Sequence, residues 1–120
     1  MQAYNEVILR NQPLNVSFNG PAMQLNEMFG YAFQVEWTGT ANGIFFLQAS
    51  TDSNIIKGGP VWPVNWTTVA DSSITITNDG SVFYNVTDVM YNWVRICYTD
   101  NSSGTSVAIA TTVTFNGKGN

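Results

Sequence analysis

Tyr31-Ala32-Phe33-Gln34-Val35-Glu36-Trp37 alternates large apolar side chains with small or polar ones at every step. Side chains along a strand point to opposite faces in turn. A period of two therefore buries Tyr31, Phe33, Val35 and Trp37 and turns Ala32, Gln34 and Glu36 outward. The same period recurs further along the chain. Ile74 and Ile76 alternate with Thr75 and Thr77, and Val82, Tyr84 and Val86 alternate with Phe83 and Asn85. In Val94-Arg95-Ile96-Cys97-Tyr98 the odd members out are Arg95 and Cys97, expected on the face opposite Val94, Ile96 and Tyr98. Near the C-terminus Val107, Ile109, Val113 and Phe115 share one parity, with Thr111 keeping register and Ala108, Ala110, Thr112 and Thr114 on the other face. Ile44 to Ala49 is apolar on both faces, at Phe45 and Phe46. Glu6–Arg10 and Leu14–Phe18 read as short edge strands.

Turn formers separate these runs: Asn19-Gly20-Pro21, Gly39, Asn42-Gly43, Gly58-Gly59-Pro60, Asn78-Asp79-Gly80 and Ser103-Gly104. Asp79-Gly80 reads as a hairpin joining the Ile76 and Val82 strands. No stretch of helical length carries a helical apolar stripe. A single helical turn is expected at Thr87-Asp88-Val89-Met90, capped by Thr87 or Asp88. Short strands punctuated by such turns predict one all-β domain over residues 1–120. The expected architecture is an antiparallel β-sandwich of jelly-roll or immunoglobulin-like type with about eight strands. The longest expected loop is Ser50 to Trp66.

Composition narrows the chemistry. Charged residues are 10% of the 120, against about 25% in an average domain. Four Lys and Arg in a chain of net charge −4 cannot form the basic stripe that holds nucleic acid. Without any His there is no Ser-His-Asp triad and no Cys-His pair, and one Cys cannot build a zinc site. Cys97 has no thiol partner in the chain and no activating base, so an inert thiol is expected. No cofactor, no metal and no enzymatic activity are expected. The N-terminal stretch Met1–Arg10 lacks the basic start and apolar core of a signal peptide, and no run is long enough to span a bilayer. The Asn-x-Ser/Thr triplets at Asn15, Asn65, Asn85 and Asn101 then read as by-products of an Asn-, Ser- and Thr-rich chain.

The remaining candidates are few. Asp52, Asp71, Asp79, Asp88 and Asp100 all fall in expected turns, where Asp binds nearby backbone N–H groups. Their spacing matches no calcium loop. Arg95 is positioned to stack on Trp93 or a neighbouring aromatic ring, or to pair with a carboxylate such as Glu36. Tyr91 stands where sandwich folds place a corner tyrosine that bonds back to the backbone. In Trp62-Pro63-Val64-Asn65-Trp66, two indoles lie outside any alternating strand. Trp62 and Trp66 are the candidate contacts for a partner protein or a sugar face, the alternative being that both rings cap the sandwich.

Three stretches carry a family resemblance. They are Gly30–Thr40 with Gly43–Ser50, Pro63–Val69, and Asn85–Thr99 running on to Gly104 and Asn116-Gly117-Lys118-Gly119. In this order they resemble the small β-sandwich virion proteins of tailed bacteriophages, from about residue 28 to the end. A fainter likeness to discoidin-type jelly rolls rests on Leu47–Asp52, Asn65-Trp66-Thr67 and the Tyr91–Tyr98 strand. The first resemblance implies a virion structural protein, such as a decoration, cement, head-fibre or tail accessory component. Such a protein is assembled in the host cytoplasm and acts through self-association and contact with other virion proteins. The second implies surface glycans as the alternative ligand. Neither nucleic acid nor membrane is an expected partner.

Overall fold

A computed structural model of the chain describes residues 3–25, 28–52, 55–56, 59–60 and 63–119. Among these residues two antiparallel sheets hold ten strands between them. The first sheet contains β1 (Ala3–Pro13), β4 (Met28–Thr38), β10 (Gly80–Thr87) and β12 (Ile109–Gly119), in the order β1-β12-β4-β10. The second is built on β5 (Gly43–Ser50) and β11 (Trp93–Asp100), which pair along their full lengths. β2 (Phe18–Asn19) and β3 (Met23–Gln24) flank β11, while β8 (Thr67–Thr68) and β9 (Ile74–Ile76) flank β5. β6 (Ile55–Ile56) and β7 (Gly59–Pro60) form a separate pair.

β2 with β3 occupies one strand position, and β8 with β9 another. Eight positions result, ordered 1-8-3-6 in one sheet and 2-7-4-5 in the other. Every connection between successive positions then crosses from one sheet to the other, except that from the fourth to the fifth, which are paired neighbours in the second sheet. That is the jelly roll, in which two Greek keys close over a shared core. It selects between the two expected sandwich types.

The core follows the alternation that Tyr31 to Trp37 announces. Phe33, Val35, Phe45, Leu47, Val94, Ile96, Val113 and Phe115 are sealed between the sheets. Aromatic rings interlock there, with Phe45 and Tyr98 centroids 4.8 Å apart and Phe33 and Phe115 5.2 Å apart. Each such burial stabilises by roughly 1.5–3 kcal/mol relative to exposure. Burial pushes the Tyr31 phenol far above its ordinary value, with the contact to Tyr91 adding to the effect. Gly43 is needed for packing rather than for turn geometry, because the Tyr98 ring lies against it and leaves no room for a β-carbon.

Several expectations are corrected. The C-terminal strand does not keep one parity. A β-bulge at Thr111 shifts register between Ala110 and Thr112, so Ala108 and Ala110 face the core while Val107 and Ile109 are exposed. Asp79-Gly80 is not a hairpin. Ile74–Ile76 pairs with β5 in one sheet and Gly80–Thr87 with β4 in the other, so the turn carries the chain across the sandwich. Thr87–Met90 is not helical; Asp88 takes φ +58°, ending β10 at a left-handed corner, and the Val89 N–H donates to the Phe29 carbonyl. The first edge strand runs for eleven residues rather than five. Leu14–Phe18 is no strand: only Phe18 enters one, and Leu14 plugs the core with 0% exposure.

Candidate functional site

The outer face of the second sheet carries Arg95 and Cys97, with Trp66 against it. Register places Arg95 opposite Gln48 and Cys97 opposite Phe46, all pointing away from the core. The Arg95 guanidinium donates to Gln48 Oε1 from Nε at 2.9 Å and from Nη2 at 2.6 Å. The Cys97 thiol donates to the same oxygen at 3.5 Å. The guanidinium also lies over the Trp66 ring, 4.2 Å from its centroid. Arg95 thus makes the expected cation–π contact, with Trp66 as the ring. Its polar partner is an amide rather than Glu36, which sits on the outer face of the opposite sheet.

Trp66 reaches Arg95 because its loop is fastened at the base. Asp52 Oδ2 accepts the Val64 and Asn65 backbone N–H groups at 2.8 and 2.9 Å, and Oδ1 accepts the Asn65 side-chain amide at 3.0 Å. Asn92 adds bonds to the Thr51 and Asp52 carbonyls. Asp52 is therefore pinned to Val64 and Asn65, next to Trp66. The Asn65 side chain first, and then the two backbone donors, hold the Asp52 carboxyl below the usual carboxylate range. Asp52 is not the local turn former that its type suggests, since its backbone donors stand twelve and thirteen residues on; Asp100, which accepts from the Ser102 and Gly104 N–H groups, is one. Trp66 is half-buried, and Trp62 lies outside the described residues.

Cys97 is buried, and burial raises its thiol pKa against the opposing pull of Arg95. Both are the wrong conditions for a nucleophile. Tyr91 does not bond back to the backbone; its hydroxyl meets that of Tyr31 at 2.7 Å. Trp37 is buried, its indole N–H donating to the Asn78 carbonyl at 2.6 Å, and Trp93 is buried on the outer side of β11. Among the described residues no group of His, Cys, Asp or Glu side chains is arranged to hold a metal ion.

A second surface was missed in the sequence. The outer face of the first sheet forms a shallow groove lined by Phe29, Ala32, Phe83, Asn85, Asn116 and Lys118, among others. Phe29 is 45% exposed and Phe83 60% exposed. Parity assigns Phe29 to the core, but it has no partner in β12, whose Lys118 and Gly119 pair with Gly30 and Met28. This bulge frees Phe29 from the inward set. Glu36 and Lys118 are the charged side chains on β4, β10 and β12 together.

No protein-family model matches the chain, and no curated protein does. Solved structures match it by shape. SPBc2 prophage-derived protein YomS superposes with a TM-score of 0.50 at 12% identity, over 97% of this chain and 90% of that one. A structure from Bacillus endospore appendages, which form disulfide-linked pili, gives 0.50 at 8% identity, over 99% and 88%. The Tobacco streak virus coat protein gives 0.48 at 7% identity, over 98% and 85%. The chain is a jelly-roll β-sandwich, similar in fold to the first two of these.

Proposed function

We propose that the chain is a non-enzymatic structural component of a bacteriophage particle, acting through protein–protein assembly. The observation that carries this reading is the outer face of the first sheet. There two phenylalanines stand in the open on strands that contribute only Glu36 and Lys118 as charges. Interface cores are depleted in charge and enriched in aromatics, because a buried unpaired charge costs several kcal/mol. The likeness of the three sequence stretches to phage β-sandwich proteins supports the same reading. So does a fold shared with a prophage-derived protein. A histidine-free chain also has few groups suited to proton transfer near neutral pH.

The glycan alternative uses the loop tryptophans. The Arg95 guanidinium covers one face of Trp66, so a sugar would have to stack on the other. Density-gradient fractionation of particles from cells expressing the chain tests the assembly reading. The chain is expected in the particle band at fixed stoichiometry. Its absence there, together with saturable glycan binding that Trp66→Ala abolishes, would replace assembly by sugar binding.

A further inference from the structure

A sheet edge exposes a row of unpaired backbone donors and acceptors, and proteins usually blunt it with charge, proline, bulges or short strands. Three of the four edges of this sandwich are blunted. β1 carries Glu6, Arg10 and Pro13 and is bulged between Val7 and Leu9. The β2–β3 edge consists of two-residue strands broken by Gly20-Pro21. The β8–β9 edge has two- and three-residue strands, broken between them by residues 69–73.

β10 has none of these devices. Its eight residues, Gly80-Ser81-Val82-Phe83-Tyr84-Asn85-Val86-Thr87, include no charge and no proline. They pair with β4 in unbroken register from Gly80 opposite Trp37 to Thr87 opposite Gly30. Its other side is the end of the sheet. Among the described residues no backbone hydrogen bond reaches that side. The exposed Phe83 ring stands on the same strand.

We propose that β10 is a homodimerisation edge, pairing antiparallel with β10 of a second copy to continue the four-stranded sheet across a two-fold axis. This rests on the assembly reading above and names the partner. A two-fold sets a strand against itself, so any charge on it would meet its own sign nearby; β10 carries none in a chain of net charge −4. The side-chain order is also nearly the same from either end. Ser81-Val82 at one end answers Thr87-Val86 at the other, so valine pairs with valine on the inner face. Asp79 and Asp88 stand just outside the run and confine pairing to it.

Size-exclusion chromatography with light scattering over a concentration series tests this on the isolated chain. Phe83→Lys/Asn85→Lys places lysines at two exposed positions where antiparallel pairing centred on Phe83 or Tyr84 brings like charges together. The wild type is expected to dimerise, and the double variant to lose roughly tenfold or more in association constant, with a melting temperature that matches the wild type's at concentrations where both are monomeric. Val7→Lys, on the already blunted β1 edge, is expected to dimerise like the wild type. Hydrogen exchange should show β10 amides protected in the dimer and open in the Lys variant. A wild-type monomer throughout, or a dimer that the β10 lysines leave intact, overturns the proposal. Neither result touches the particle-band experiment, so this proposal and the assembly reading fail separately.

Discussion

Ser72 repairs a gap in the second sheet. On the side away from β11, β5 passes from β8 to β9 at Phe46 and Leu47, where no strand is paired. The Leu47 N–H instead donates to Ser72 Oγ at 3.0 Å, and that hydroxyl donates to the Val69 carbonyl at 2.7 Å. Ser72→Ala strips a buried amide of its acceptor, so unfolding free energy should fall by about 1–3 kcal/mol in denaturant titrations. An unchanged midpoint would show that the hydroxyl is dispensable. At Cys97, burial disfavours the thiolate, so labelling by a thiol reagent at neutral pH should track unfolding. Labelling at the rate of an exposed peptide thiol would contradict the buried position. Ser72 could not be singled out beforehand, because its role depends on two strands ending at the same place. Cys97 could, because it alternates with inward residues in a chain without a base to activate it.

At the scale of elements, the Asp52 clasp sets the loop that carries Trp66. Its folded pKa is lowered, so the bonds to Val64 and Asn65 are fully present above the ordinary carboxylate value of about 3.9 and fade as pH falls through the lower folded value. The Val64 and Asn65 amide resonances should therefore titrate in NMR with a midpoint below that of an unstructured Asp. Asp52→Ala should shift them at neutral pH and quicken their hydrogen exchange. A midpoint at the ordinary value would mean that the clasp is not made in solution. The strands themselves were largely legible: Tyr31–Trp37, Val82–Val86 and Val94–Tyr98 bury the sides their alternation predicts. What misled were the bulges. One extra residue at Thr111 exchanges faces for everything on one side of it, and periodicity over a few residues does not reveal where that occurs. Asp79-Gly80 likewise marks a turn without saying to which sheet each arm belongs.

For the whole molecule, the sandwich follows from alternation and turn spacing, but the jelly-roll order does not. That order depends on which strands meet across the sheet, a long-range matter settled by packing. Truncating Phe115, sealed between Phe33 and Tyr31, to Ala should cost about 3–5 kcal/mol by chemical denaturation. The low charge first excluded functions and now has a location. It leaves one long strand edge unblunted and one outer face nearly neutral, with aromatic side chains in the open. Assembly through that edge is tested most directly by sedimentation velocity of the wild-type chain over a wide concentration range. A reversible shift from one-chain to two-chain mass is predicted. A sedimentation coefficient that stays at the one-chain value at every concentration would contradict it.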